Sequence, residues 1–478
     1  MKELCRKTIP PTLYAALEKV ATVVKTNGGK AYVVGGSVRD MLMGSGSVKD
    51  IDIEVFGITP EKLKSVLSEH FDLDLVGLSF GVVKLRHLDI DVSLPRRESK
   101  RGTGHKGFDI ESDPFLSVEE AATRRDFTVN AVYFDFLENK TVDPFNGAED
   151  IRTKTLRHVS GKFTEDPLRV LRGMQFVARF DLAVAEETIE ICKSMTPENL
   201  PPERLLEEWR KLLLKGKSIS RGLEFLRRTG WIRYYPELKR LIGCKQDPQW
   251  HPEGDAWNHT CHCLDAFARN RVGDDTEDFI VGLAVLCHDL GKPDTTEFQN
   301  GRLRSLGHDV AGVPLTLSFL KRLTNEEKIL REVPPLVKYH MSPFALYSAH
   351  AKTAAIRRLA ANVIRIDRLC RVAQADHDGR PPIDDESPEI EWLMEKAEEL
   401  RLAACAPKPI VQGRDLIALG LKPSPAFGKI IAQCFEAQLD EKFTDRESGI
   451  EFLKKRILKT GMEKRTTTPE KTIQGKTK

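Results

Sequence analysis

Tyr32-Val33-Val34-Gly35-Gly36-Ser37-Val38-Arg39-Asp40, followed by Asp50-Ile51-Asp52, is the stretch whose reading decides the fold. It joins an apolar strand to a Gly-Gly turn whose backbone N–H groups can surround phosphate, then to a short helix ending at Gly44. Two carboxylates follow, two residues apart. On a strand, alternate residues share a face, so Asp50 and Asp52 project together while Ile51 and Ile53 point to the core. Alone, Gly-Gly is an ordinary turn and Asp-x-Asp a solvated strand end. In this order and spacing they describe a cation site beside a triphosphate cradle, because same-face carboxylates can hold the divalent ions that stabilise attacking and leaving oxygens at a phosphorus. Such chemistry calls for a third acid on a neighbouring strand. Residues 82–92 alternate well enough to form it and offer Asp89 and Asp91 on one face.

Working outward, strands are expected near 31–35, 50–56, 82–92 and 129–136, separated by helical patterns such as 60–70. The turn Asp143-Pro144-Phe145-Asn146-Gly147 closes this region. Beyond it the texture becomes helical, with helices expected over 165–180, 186–193, 202–215 and 219–229. The Gly and prolines of 374–382 mark a boundary, a last helical unit covers about 408–459, and the Lys- and Thr-rich tail from Gly461 is expected to be disordered. The expected architecture is therefore an α/β head on a helical body. Its units are residues 1–155, 156–235, 236–390, 400–460 and 461–478.

A chain of 478 residues exceeds one core, and 40% apolar with 30% charged residues is a soluble globular composition. A net charge of +3 announces no global affinity for nucleic acid, so any RNA surface rests on local clusters such as Arg96-Arg97-Glu98-Ser99-Lys100-Arg101. No apolar leader or membrane span is read, and nine scattered cysteines fit a reducing compartment, so a cytoplasmic protein is expected, as a monomer or homodimer. Cys261-His262-Cys263 with Cys287 lacks the paired C-x-x-C spacing of structural zinc.

Two further motifs refine the head. In Arg124-Arg125-Asp126-Phe127-Thr128-Val129-Asn130 the guanidinium fork of Arg125 suits phosphate and the Asn130 amide suits a ribose hydroxyl, with Asp126 between them. In Glu165-Asp166-Pro167-Leu168-Arg169-Val170-Leu171-Arg172, Asp166 and Arg169 are three apart and expected on one helix face. An acceptor beside a donor fork fits cytosine and adenine, whereas uracil and guanine meet mismatched hydrogen bonds costing about 1–3 kcal/mol each.

These motifs together resemble class II tRNA nucleotidyltransferases, the CCA-adding enzymes of the polymerase β superfamily, and in particular bacterial members bearing an HD domain. The resemblance covers about residues 28–385, with the motifs in order. It implies an α+β protein: a polymerase β-like head with a mixed sheet, then an all-α neck, HD body and tail. It implies that Asp50, Asp52 and Asp91 are the catalytic acids, with Asp50 and Asp52 binding Mg²⁺. It further implies that Gly35, Gly36, Ser37, Arg39, Arg125, Asp126, Asn130, Asp166, Arg169 and Arg172 bind the nucleotide. Residues 96–108 would be the loop that switches the enzyme toward ATP. The implied partners are tRNA, CTP and ATP, and the implied reaction is untemplated addition of CCA to a tRNA 3′ end.

A second site is read in the body. His259, then His288-Asp289 at the end of an apolar run, then Asp376 form a mixed N and O ligand set that suits a divalent transition metal. Their order resembles the HD phosphohydrolase superfamily, which places His308 and His340 as phosphate contacts. Two other readings stay open: a CC-adding, A-adding or poly(A) enzyme of the same superfamily, and an HD phosphohydrolase with a vestigial RNA-binding head.

Overall fold

The structure, a computed structural model, describes residues 1–44, 46, 48–75, 81–100, 108–380 and 387–465. The strand read at 31–35 is β1 (Lys30–Val34), and the Asp-x-Asp strand is β2 (Ile51–Phe56), antiparallel to it. With β3 (Leu73–Asp74), β4 (Val82–Leu85) and β5 (Ile90–Ser93) placed ahead of β6 (Arg96–Lys100) and β7 (Phe108–Ser112), the head's strands end in β8 (Tyr133–Asp135) and β9 (Lys140–Val142). The main sheet runs β3-β4-β5-β2-β1-β8-β9, and β6 with β7 forms a separate ribbon. The sheet is mixed, because β2 and β5 lie parallel among antiparallel neighbours.

Period-2 alternation assigns its two faces. Ala31, Val33, Ile51, Ile53 and Val55 enter one core with Leu17, Val20 and Val24 of the Pro11–Thr26 helix, an element the sequence reading did not assign. Tyr32, Val34 and Phe56 face the other way, against Ala121, Ala131 and Tyr133. Asp52 and Glu54, out of phase with the isoleucines, therefore open on this second face.

Two expected strands are corrected. Residues 82–92 form a hairpin, β4 turning into β5, with His87 left-handed at φ 63° in the turn. Asp89 lies before β5, so Asp89 and Asp91 do not share one continuous strand face. The residues at 128–130 are a 3₁₀ turn, Thr128–Asn130, and the strand begins only at Tyr133. The helix expected from 165 begins at Leu168, because Pro167 sets the N-cap and holds Asp166 extended at φ −123°, ψ 101°.

Behind the head, the described residues are helical apart from turns, loops and two short strand pairs, Thr155–Leu156 with Ala183–Val184 and the hairpin Thr296–Gln299 with Arg302–Ser305. The helices Glu186–Lys193, Pro202–Lys215 and Ile219–Arg228 stand within a residue of their expected limits. One continuous core runs from Phe127 to Leu402, so the boundaries drawn at 155 and 235 do not separate hydrophobic cores. Trp209, fully buried, donates its indole N–H to the Tyr235 hydroxyl at 3.2 Å and packs edge-on to Phe319, tying neck to body. Residues 410–453 carry a small core of their own around Leu416, Cys434, Phe443 and Leu453. The last helix, Arg446–Arg465, continues through the boundary drawn at 461, and the rest of the tail lies outside the described residues. Among the described residues, no helix is long and apolar enough to cross a membrane.

The head closes at the predicted turn. Asp143 accepts hydrogen bonds from the Gly147 and Ala148 N–H groups at 2.8 and 2.9 Å, capping the Gly147–Arg152 helix. A Cβ at Gly147 would stand 2.0 Å from the Thr128 carbonyl oxygen and 2.8 Å from Val132. Gly147→Ala is therefore expected to lower unfolding free energy by about 1–3 kcal/mol in denaturant titration, whereas Arg152→Ala on the exposed face of the same helix leaves it nearly unchanged.

Candidate active site and metal centre

Gly35 sits at φ 69°, ψ −133°, a conformation that glycine alone adopts without strain, and turns β1 into the Gly36–Met43 helix. The Ser37 hydroxyl donates to the Asp50 carbonyl at 3.0 Å and accepts from the Asp52 N–H at 3.4 Å. The serine thus pins the start of β2 against the glycine turn. Asp52 and Asp91 are register partners across the parallel β2–β5 pair, so their side chains share a face. Lys84 bridges Asp91 at 2.8 Å. Crowding by protein around the Asp52 carboxyl pushes its pKa above the usual carboxylate range, with Asp91 and Asp50 adding to the rise and Arg125 opposing it. A set of hard oxygen donors repelling one another suits a divalent cation of the Mg²⁺ type.

Beside these acids opens a cavity of about 490 Å³, lined by Gly35, Gly36, Arg39, Asp52, Arg125, Asp126, Asn130, Asp166, Arg169 and Arg172. Every nucleotide-binding residue expected from the sequence except Ser37 therefore lines one cavity. Asp50 and Asp91 stand beside it rather than in its lining. Leu168, Gln175, Phe176, Arg179, Arg204 and Lys211 also line it, none of them assigned to the nucleotide from the sequence. Gln175, Phe176 and Arg179 follow Arg172 at helical spacing, and Arg204 and Lys211 lie in the basic segment 203–215, within the Pro202–Lys215 helix.

Much of this wall is already committed. Arg39 donates to Asn130 Oδ1 at 2.7 Å, Asn130 donates to Asp126 Oδ1 at 2.9 Å, and Arg172 holds Asp126 Oδ2 at 2.6–2.7 Å. Burial would raise the Asp126 carboxyl, yet Arg172 and these donors hold it below its ordinary range. Arg125 pairs with Glu54 at 2.9 Å and donates to the Tyr133 hydroxyl at 3.1 Å. The single helix face expected to carry Asp166 and Arg169 does not include Asp166. Asp166 precedes the helix and receives Arg204 at 2.8 Å, while Arg169 donates to the Lys162 and Arg124 carbonyls at 2.7 and 2.6 Å. The two residues still border the same cavity, from different backbone settings. The loop residues 101–107 lie outside the described residues.

In the body, His259 on the Ala256–Arg269 helix, His288 and Asp289 after the Asp275–Cys287 helix, and Asp376 on the Ile366–Asp378 helix converge, and all four are buried or nearly so. His259 Nε2 is 2.9 Å from Asp376 Oδ1, and His288 Nε2 is 3.3 Å from Asp289 Oδ2. The Nδ1 atoms of His288, His308 and His340 face the carbonyls of Val285, Ser305 and Val337 at 2.6–2.7 Å. A carbonyl only accepts, so each Nδ1 carries a proton and each Nε2 is turned into the cluster. His259 Nδ1 is held at 2.7 Å by Glu253, which sequence reading missed. Burial would raise the Glu253 carboxyl, but hydrogen bonds from His251 and His259 take it down to about 2. This is the carboxylate–histidine support common behind metal ligands. Burial, with His288 and His308 alongside, lowers His340 to about 4, so its ring is neutral near pH 7.

Asp289 divides its oxygens. One lies 2.7 Å from Lys292 and the other 3.5 Å from His308, which is 3.2 Å from His340. The donor set of imidazoles and carboxylates, with His288 Nε2 buried and lacking a hydrogen-bond partner, fits a divalent transition metal. Asp289, Asp376, His308 and His340 line a cavity of about 610 Å³ together with Lys292, Arg304 and Arg380, while His259 and His288 lie behind that lining.

Comparison with known proteins bears on the head and on the whole chain. The family model for the Poly A polymerase head domain matches residues 31–157, and that for the probable RNA and SrmB-binding site of polymerase A matches residues 181–242. The multifunctional CCA protein of Nitrosococcus oceani is 33% identical over 86% of this chain and 96% of its own length. That of Stenotrophomonas maltophilia is 34% identical over 84% and 97%. Among solved structures, the Bacillus stearothermophilus CCA-adding enzyme in complex with CTP aligns over 95% of this chain and all of its own, with 23% identity and a TM-score of 0.63. The Thermotoga maritima CCA-adding enzyme complexed with tRNA aligns over 95% and 98%, with 19% identity and a TM-score of 0.57.

A Cβ at Gly35 would meet Asp52 Oδ2 and Arg125 Nη1, each at 3.4 Å, besides straining the backbone. Gly35→Ala should weaken binding of a nucleoside triphosphate about tenfold or more, since strain of about 1–3 kcal/mol falls directly on the cradle. Isothermal titration, with a thermal melt to show the fold retained, measures it.

Proposed function

Because the chain belongs to the family of multifunctional CCA proteins, we propose that it adds C, C and A to the 3′ end of tRNA from CTP and ATP, as a class II nucleotidyltransferase working in the cytoplasm. The observation that carries this reading is a single cavity bordered by both chemistries. Asp52 and Arg125 stand on its sheet side, Asp166 and Arg169 on its helix side. The tRNA 3′-hydroxyl attacks the α-phosphorus, a new P–O bond forms, and pyrophosphate leaves. Bound at Asp50, Asp52 and Asp91, Mg²⁺ would supply Lewis acidity to the attacking and leaving oxygens. The backbone of Gly35 and Gly36 leaves room for the triphosphate, and Arg125 and Arg172 add positive charge. Asp166, oriented by Arg204, offers an acceptor to an exocyclic amine, and Arg169, oriented by two carbonyls, offers donors to a ring nitrogen. Cytosine and adenine share that edge.

Incubation with tRNA lacking CCA, lacking CA or lacking only A, with each triphosphate supplied separately, is expected to give C, C and A in turn. Asp50→Ala and Asp52→Ala should each cut incorporation at least about 100-fold, because loss of a metal-binding acid removes several kcal/mol of transition-state stabilisation. Incorporation that stops at CC, that continues as an A-tract, or that ignores both substitutions would overturn this assignment in favour of a partial enzyme, a poly(A) polymerase or another site.

A second activity is proposed for the body, where His259, His288, Asp289 and Asp376 hold a divalent transition metal and His308, His340 and Lys292 face the phosphate. Its support is the buried imidazole and carboxylate cluster beside the cavity. Hydrolysis of a nucleoside 2′,3′-cyclic phosphate should be lost in His288→Ala, while nucleotide addition by the same variant persists.

A further inference from the structure

Cys263 belongs to no motif in the sequence, yet its thiol reaches the centre of the body cluster. It follows His259 by four residues on the Ala256–Arg269 helix, so the two side chains share one face, one turn apart. Its Sγ lies 3.4 Å from His259 Nε2. Ligand atoms of His259, Cys263, His288 and Asp376 all lie within 4.8 Å of one another. Metal–nitrogen and metal–sulfur bonds of about 2.0–2.1 and 2.3 Å at a tetrahedral angle would place N and S about 3.6 Å apart, close to the spacing already present. His288 Nε2, buried and without a hydrogen-bond partner, is directed into the same group. Space is kept for the sulfur from the far side: a Cβ at Gly379 would stand 2.4 Å from it. Cys261, two residues earlier on the other helix face, borders a different cavity with Trp257 and His262.

We propose that Cys263 is a thiolate ligand of the body's metal centre, joining His259, His288 and Asp376 and biasing the site toward thiophilic ions of the zinc, cobalt and nickel type over magnesium or manganese. The proposal rests on the reading of this cluster as a metal site. A soft sulfur donor confers that bias where imidazole and carboxylate alone discriminate weakly. Asp289 keeps its place beside these ligands, one oxygen toward His288 and Lys292, the other toward His308.

The test loads the metal-stripped full chain with Co²⁺ and records its absorption. The expected result is one equivalent of bound cobalt with a near-ultraviolet sulfur-to-cobalt charge-transfer band. That band is lost in Cys263→Ser and Cys263→Ala and kept in Cys261→Ser, while nucleotide addition shows each variant folded. Competition between Zn²⁺ and Mn²⁺ should shift toward Mn²⁺ in Cys263→Ser. Cobalt bound with ligand-field bands but no sulfur band would overturn the thiolate ligand and leave the metal site standing. No cobalt retained by the intact chain, as in His288→Ala, would overturn the metal site and the inference together.

Discussion

A chain of four polar side chains, Arg39–Asn130–Asp126–Arg172, the first three buried, is the constraint on which the head and its cavity depend. Its members come from the helix after the Gly-Gly turn, from the 3₁₀ turn after Asp126, and from the helix that follows Pro167. Polar groups withdrawn from water must find partners or carry a desolvation penalty, and a fully satisfied network admits one arrangement of its elements. Arg39 adds a second tie, its guanidinium 4.5 and 5.1 Å from the ring centres of Phe180 and Phe176 on that last helix. The separation between the carboxylates of β2 and the N-terminal end of the helix is set by this chain.

The same helix also faces backward. Val170, Leu171, Met174 and Val177 enter the core that continues through Trp209 and Tyr235 into the body, where Leu286 and Cys287 precede the His-Asp pair. Two chemistries are therefore mounted on one hydrophobic frame, without a separate core for each. Close packing of that frame leaves little freedom for the parts to shift independently. Each site nevertheless keeps its own electrostatics: hard oxygen donors and guanidinium groups in the head, imidazoles and buried carboxylates in the body.

Local rules served where the chemistry is local. Gly-Gly after an apolar strand, the alternation that exposes Asp52 opposite Ile51 and Ile53, and Pro167 at a helix start all depend on residues a few positions apart, and the structure places each accordingly. They misread the hairpin at Arg86–Asp89, because alternation over a short span does not register a residue such as His87 entering the left-handed region. They also set Asp166 and Arg169 on one helix face, although the helix starts only after Pro167 and Arg204, 38 residues on, takes the Asp166 carboxylate. Glu253 behind His259 was missed because it lies in a loop with no motif, and Cys263 because the spacing sought was that of structural zinc.

The sequence by itself determined the head's strand alternation, its glycine turn, the helical texture that follows and the motif acids, histidines and arginines around which both clusters form. Those properties follow from side-chain periodicity and backbone preference, which act over a few residues. Only the tertiary structure decided which groups are spent on one another: Ser37 on the start of β2, Asn130 on Arg39 and Asp126, Asp166 on Arg204, and His259 between Glu253, Asp376 and the Cys263 sulfur. Hydrogen bonds and ligand geometry require approach within about 3 Å. Such approaches span up to 117 residues of chain here, and it is packing of the shared core that brings them about.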